Sequence, residues 1–342
     1  MILPRVSIIL ATHDTPLDRL QRVLEAIRAN TDLPHELIIV DTSKKPQDVS
    51  EVAARFDARF FTPGVDHGLG ASWNLGALYA SCPVLAFLCD DVYVDERWAS
   101  AAMKCLKGNV KAVCGKLLSH GRKELLNAAG SYTDVFGVSW NRGISERDEG
   151  RYDKPEYIFR VVGAVFLIEA EAFRRVGAFD ESYFLYAEDM DLSWRMQLAG
   201  HDCMYVPSMR AYHEWMATTS KHQTPLKQYH YLLERNRLQT LLKNYSIRTL
   251  LSIIPWYLLI KIIHFAWLVA HRRLDETRAL LRAFTWIRCN LKEILRKRYL
   301  VQRLRKRKDR EVQRLMLKLP AELLFGLSFL RHPLVDAARR KD

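Results

Sequence analysis

Three almost wholly apolar runs, VSIILA at 6–11, ELIIV at 36–40 and VLAFL at 84–88, lack the polar alternation of a half-solvated strand, and the first is rich in β-branched residues. Strands of that kind are buried on both faces, which calls for helices above and below a mostly parallel sheet. The sequence between them supplies helices: Leu17, Leu20, Leu24 and Ile27 form an apolar stripe at helical spacing. Thr15-Pro16 ahead of that stripe reads as a helix start, and Asp18 completes an approximate capping box. A further strand is expected at 110–114. Each of the three runs ends in polar residues: Thr12, His13 and Asp14, then Asp41, then Cys89, Asp90 and Asp91. Ligands of a doubly wound sheet bind beyond the carboxyl ends of its strands, so Thr12, Asp41, Asp90 and Asp91 are expected to face one crevice.

HGLGASWNLG at 67–76 sets small residues before a helix pattern that runs to Tyr79. Trp73 stands where a dinucleotide fingerprint needs its third glycine, and the segment does not follow the first strand, so that reading fails. Two readings stay open for Gly68 and Gly70: a plain turn at a helix start, and close approach of backbone to a phosphate or ribose. Asp90 and Asp91, pressed together at a dry sheet end, repel each other, and a hard divalent cation relieves such repulsion. Asp95 and Glu96 read as caps of a helix over 98–106. IFRVVGAVFLI at 158–168 reads as a strand whose central Gly163 marks a bulge or a ligand against the backbone. A short helix over 171–176 stops at Gly177.

The densest chemistry lies in FDESYFLYAEDMDLSWRMQLAG at 179–200, where Glu188, Asp189 and Asp191 crowd the start of a helix that Gly200 ends. The partial positive charge of a helix N-terminus favours ionised carboxylates and holds Asp189 as a base unless burial opposes it. An ordinary acidic first turn is the other reading. A short strand at 203–206 precedes Tyr212-His213-Glu214-Trp215. That is not a zinc protease motif, since Ala217 occupies the place of the second histidine.

In their order and spacing these segments resemble the family 2 glycosyltransferases over about residues 4–240, and within them the rhamnosyltransferase-like branch of bacterial surface-polysaccharide, lipopolysaccharide and O-antigen biosynthesis. VSIILATHD is similar to the family's opening strand, IIVDTS to its nucleobase-binding strand end, GLGASWNLG to its glycine and asparagine segment, and LCDDV to its DXD element. GAVFLIEAEAFRRVGAFDESYFLYAEDMDLSWRMQLAG is similar to its acceptor-side block. The resemblance implies an α/β GT-A fold, Rossmann-like and doubly wound, with a nucleotide-diphosphate sugar donor such as dTDP-rhamnose. It also implies a divalent cation, Mg2+ or Mn2+, and inversion at the anomeric carbon. It assigns Asp189 as the catalytic base, Asp91 and His213 as metal ligands, and Thr12, Asp41, Gly68, Asn74 and Asp90 to the donor site. Glu188, Asp191, Gly163 and Arg195 would support them. Cys89 departs from the pattern, standing where many members carry the first acid of the DXD element.

Charge divides the chain. Residues 1–225 hold 25 Lys and Arg against 30 Asp and Glu, and the remainder 27 against 9. The basic part opens with TLLSIIPWYLLIKIIHFAWLVA at 249–270, long enough to span a membrane yet interrupted by Pro255, Lys261 and His264. A basic amphipathic helix over 272–316 and a second apolar stretch at 323–330 follow. Crossing at the first segment would export the basic helix, against the positive-inside tendency, so an in-plane or re-entrant arrangement on an anionic membrane surface is expected. Packing on protein, or self-association through these helices, is the alternative. Basic residues that alternate with Leu, Ile and Trp suit lipid better than nucleic acid, so no nucleic-acid partner is expected. The expected organisation is a GT-A catalytic domain at 1–240 and a helical, amphipathic C-terminal region at 241–342. It would act on a glycan acceptor, lipid-linked, at the cytoplasmic face of the inner membrane. Six cysteines without a CxxC pair, and an N-terminus that enters a strand pattern without a signal peptide, agree with a reducing compartment. A processive synthase is disfavoured by the lack of a QxxRW pattern, and a noncatalytic nucleotide-sugar-binding module could dispense with Asp189.

Overall fold

The computed structural model describes residues 6–214, 226–318 and 320; Trp215, Ala217 and the apolar stretch at 323–330 lie outside the described residues. The chain divides into two units, Met1–Tyr132 with Trp140–Trp215, and Thr133–Ser139 with Met216–Asp342.

The first unit is built on the expected sheet. β1 (Val6–Thr12) is buried along its whole length, α1 (Leu17–Asn30) follows, and β2 (His35–Asp41) lies parallel to β1 with Asp41 beside Thr12. α2 (Pro46–Ala54) and β3 (Arg59–Phe61) extend this half, and α3 (Leu69–Tyr79) crosses back so that β4 (Val84–Cys89) pairs parallel to β1 on its other side. The order 3-2-1-4 makes the gap between β1 and β4 a switch point, outside which Asp90 and Asp91 follow directly. The other half holds β5 (Val92–Val94), α4 (Trp98–Met103), β6 (Val110–Ser119), β7 (Leu126–Ala129), β8 (Glu156–Ile158), β9 (Val165–Glu169), α5 (Ala170–Arg175), α6 (Glu188–Leu198) and β10 (Asp202–His213). The ten-stranded sheet runs β3-β2-β1-β4-β9-β6-β10-β8, with β5 on β10 and β7 on β6. β9 lies antiparallel between β4 and β6. Trp73 of α3 packs its ring 5.4 Å from Phe87 of β4, 6.0 Å from Phe166 of β9 and 5.2 Å from Phe179, which ties the helix and the segment ahead of α6 to one core.

Four local expectations are corrected. The stretch 158–168 is not one strand: β8 ends at Ile158, β9 starts at Val165, and Gly163 sits in the turn between them. The backbone at 158, 161 and 163 bonds to side chains of α6. The strand expected at 203–206 continues to His213, because β6 and β5 offer it edges on both sides past a bulge between Val206 and Arg210. No capping box forms at α1, where Pro16 is the cap residue and the Thr15 hydroxyl donates to Asp90 Oδ2. α4 likewise lacks a side-chain cap, and Asp95 pairs with Arg210.

In the second unit, α7 (Leu226–Asn244) packs against α9 (Leu274–Cys289) and α10 (Leu291–Leu304), while α8 (Ile247–Ala270) runs beside α9. The single basic helix expected over 272–316 is broken at Asn290 and again after Leu304. Side chains from α10 close the end of α7: Arg298 donates to Leu242 O and Tyr245 O, both at 2.6 Å, and Gln302 to Lys243 O at 2.9 Å.

The bulge in β10 depends on Gly115 of β6. A Cβ there would fall 1.8 Å from the backbone oxygen of Met209. Gly115→Ala is therefore expected to cost about 1–3 kcal/mol, read as a lowered urea midpoint at unchanged slope. An unaltered midpoint would mean that the bulge shifts freely.

Candidate active site

Two groups of acids meet at the carboxyl end of β4. The first follows the strand directly. Asp90 accepts from Thr15 Oγ1, while Asp91, 3% exposed, lies with Oδ1 3.2 Å from His213 Nε2 at the end of β10. The other ring nitrogen of His213 is 2.9 Å from Asn127 Oδ1. A carbonyl oxygen only accepts, so Nδ1 carries a proton, and in the neutral imidazole Nε2 turns its lone pair toward Asp91. Two acceptors about 3 Å apart match adjacent corners of an octahedron with metal–ligand bonds of about 2.1 Å. Among the described residues no three His, Cys, Asp or Glu side chains converge to hold a metal ion by themselves.

The second group opens α6. Asp189 Oδ2 takes the backbone N–H of Gly163 at 2.9 Å and an ion pair from Arg160. Asp191 is wholly buried and paired with Arg195, whose Nη1 also donates to Val176 O at 2.6 Å, so this pair braces the helix. Cys89 connects the two groups: its backbone N–H donates to Ala164 O at 3.0 Å, and its thiol lies 3.7 Å from Gly163 O.

Burial sets the charges. It pushes the Asp90 carboxyl up to about 7, with the Asp91 charge adding, and the Glu188 carboxyl up to about 8, with the Asp189 charge adding. Glu188 Oε2 is buried without a hydrogen-bond partner, which a neutral carboxyl tolerates far better than an anion. Burial also drives the Cys89 thiol well up, so it stays a neutral group among four carboxyls.

The remaining expected residues lie near by in two roles. Asp41 is fully buried, accepts from Thr12 Oγ1 at 2.7 Å and Ser43 Oγ at 2.6 Å, and keeps Oδ2 without a hydrogen-bond partner. Gly68 and Asn74 face the acidic segment. A Cβ on Gly68 would fall 2.1 Å from Phe184 O, and Leu69 N donates to that oxygen at 2.8 Å. Asn74 brackets Phe179, accepting from its N–H at 3.0 Å and donating to its carbonyl at 2.9 Å. Phe184, Tyr186 and Ala187 all carry positive φ, a strained entry to α6 that these contacts hold. Sequence reasoning missed the site roles of Thr15, Asn127 and Arg160: Thr15 was read as a helix cap, Asn127 lies in no motif, and Arg160 showed only as a cation inside an otherwise apolar run.

Residues 7–177 match the family model described as glycosyl transferase family 2, and 152–287 the one described as glycosyl transferase family group 2. The chain belongs to glycosyl transferase family 2. This glycosyltransferase is 26% identical to rhamnosyltransferase WbbL of Escherichia coli K12 over 222 residues, 61% of this chain and 83% of that protein. It is 23% identical over 240 residues to an N-acetylglucosaminyl-diphospho-decaprenol L-rhamnosyltransferase of Mycobacterium tuberculosis, 62% and 77% of the two chains. Against the putative polypeptide N-acetylgalactosaminyltransferase 10 of Drosophila melanogaster it is 26% identical, yet spans only 39% of that protein. Its fold is similar to GalNAc-T7 solved with UDP, GalNAc and Mn2+, at TM-score 0.53, 18% identity and 68% and 48% coverage of the two chains. It is also similar to mannosyltransferase PcManGT of Pyrobaculum calidifontis, solved with GDP-Man and Mn2+, at TM-score 0.50, 14% identity and 88% and 86% coverage. The expected GT-A architecture is therefore the observed one.

Glu188 gives the site a pH signature. A carboxyl whose folded value lies above its unfolded one keeps its proton while the unfolded chain loses it, so stability falls as pH rises from about 4.5 to about 8 and levels off above. Glu188→Gln should show a shallower fall across that window, by up to about 1.4 kcal/mol per pH unit, in urea denaturation at stepped pH. Identical slopes in the two proteins would mean that Glu188 is ionised in the fold.

Proposed function

We propose that this chain transfers a single sugar, with inversion, from a nucleoside-diphosphate sugar to a glycan hydroxyl, with Asp189 as base. The observation that carries this reading is the state of the Asp189 carboxylate: Oδ2 is occupied by Arg160 and Gly163, while Oδ1 takes no hydrogen bond among the described residues. An acceptor hydroxyl attacking the anomeric carbon must lose its proton, and Oδ1 is the group that would receive it. On the donor side, the unpaired Asp41 Oδ2 suits an N–H of the nucleobase, with Thr12 holding the other oxygen. Asp91 and His213 would hold a divalent cation, with donor phosphate oxygens and water completing its shell, as is usual for magnesium. Bound there, the cation would neutralise charge on the departing diphosphate. The two bacterial relatives make rhamnose the first donor to try and a lipid-diphosphate-linked sugar the first acceptor.

The second unit supports a membrane site of action. α8 is 24 residues long and apolar enough to cross a bilayer, but its Lys261 is buried against Glu234 of α7 at 2.8 Å, and Tyr257 donates to the same carboxylate. One side of α8 is thus committed to protein. The other exposes Leu251, Trp256, Ile262 and Ile263 at 52–73%. An apolar helix that is half packed and half bare fits the membrane interface better than a span, and the excess of cations beyond 225 would attract anionic headgroups at about 1 kcal/mol each.

Asp189→Asn should lower turnover by roughly two to four powers of ten with donor affinity little changed, in a transfer assay over a panel of UDP-, GDP- and dTDP-sugars. Near wild-type turnover would remove Asp189 as the base. Asp91→Ala should abolish metal-dependent donor binding in calorimetry, and unchanged affinity there would exclude it as a ligand. Full-length protein should float with anionic vesicles and be only partly released by salt, whereas the Trp256→Asp, Ile263→Asp double variant should stay at the bottom of the gradient. Equal flotation of the two proteins would remove α8 as the contact face.

A further inference from the structure

The turn at 158–163 is laced to α6 along one ridge of the helix. Gln197 donates to Ile158 O at 3.0 Å, Val161 N to Ser193 Oγ at 3.2 Å, and Gly163 N to Asp189 Oδ2 at 2.9 Å. Positions 189, 193 and 197 are four apart and share a face. At the lower two rungs neutral side chains make the bonds to the backbone. At the top rung a guanidinium is added: Arg160, 8% exposed, pairs with the oxygen that Gly163 already contacts. Its Nε is buried without a hydrogen-bond partner, so the carboxylate is its main compensation for lost hydration. A cation costs too much there to serve as a third lace. What it adds is a choice between the two oxygens, because both donors converge on Oδ2 and leave Oδ1 open. The turn is itself rigid: Ser131 Oγ donates to Arg160 O at 2.8 Å, and a Cβ on Gly163 would lie 2.9 Å from Oδ2.

We propose that Arg160 is a positioning residue that holds Asp189 by Oδ2, so that Oδ1 is the oxygen presented to the acceptor. This rests on the reading of Asp189 as base. As the acceptor oxygen bonds to the anomeric carbon and the bond to the diphosphate breaks, the acceptor proton passes to Oδ1, and Arg160 keeps all of its protons throughout. Cys89 extends the arrangement toward the donor side, since its thiol and N–H hold the other edge of the same turn and the chain continues from it into Asp90 and Asp91.

The test uses the full chain, with dTDP-rhamnose or whichever donor of the panel turns over faster. Arg160→Ala should lower kcat by about a hundredfold while both KM values stay within about threefold. Guanidinium at low millimolar concentration should restore part of the loss, and Arg160→Lys should recover about tenfold as a point charge without the planar fork. In an Asp189→Asn background the same Arg160→Ala change should cost under about threefold, because the oriented group is already gone. Equal losses in the two backgrounds would overturn the role of Arg160 and leave the base intact; near wild-type turnover of Asp189→Asn alone would instead overturn the base. If Arg160→Ala does not fold, Arg160→Gln takes its place, and an unchanged kcat in that folded variant would equally refute the proposal.

Discussion

Four carboxyl groups, of Asp90, Asp91, Glu188 and Asp189, lie around Cys89 where water is largely excluded, and much of the neighbouring structure answers that burial. Ionised groups in such a place need partners or must give up their charge. Asp189 has Arg160, and Asp91 lies against His213, itself oriented by Asn127. Asp90 and Glu188 are pushed toward neutrality, at about 7 and about 8. The thiol at position 89 adds no further charge.

The acids are brought together by glycine and strain rather than by a single motif. Gly68 lets the start of α3 meet the Phe184 carbonyl, and Gly163 lets its own N–H reach Asp189. Three non-glycine residues with positive φ, at roughly 1–3 kcal/mol each, turn the chain sharply into α6. Asn74 and the Trp73 aromatic cluster hold that turn from α3. Two segments that look like separate motifs in the sequence are thus one piece of architecture.

The second unit follows another logic. Among the described residues, α8 sets Lys261 inward against Glu234 while Trp256 and Ile262 face out. A soluble helix would show the reverse distribution. That inversion is the observation on which the proposed membrane contact of α8 rests.

Much of the fold was legible in the sequence. Apolar runs with polar ends define β1, β2 and β4, since only a strand covered on both faces tolerates such composition, and the acids at their ends and at the start of α6 were visible as residue types. What tertiary structure alone decided is how those acids are paired. Arg160 meets Asp189 across 29 positions, Thr15 meets Asp90 across 75, and Asn127 meets His213 across 86. Local patterning read Thr15 as a helix cap and the Arg160 segment as plain strand, because propensity and periodicity report only neighbours within a turn or two. A carboxyl's charge and the oxygen it presents depend instead on burial and on partners that the chain brings in from a distance.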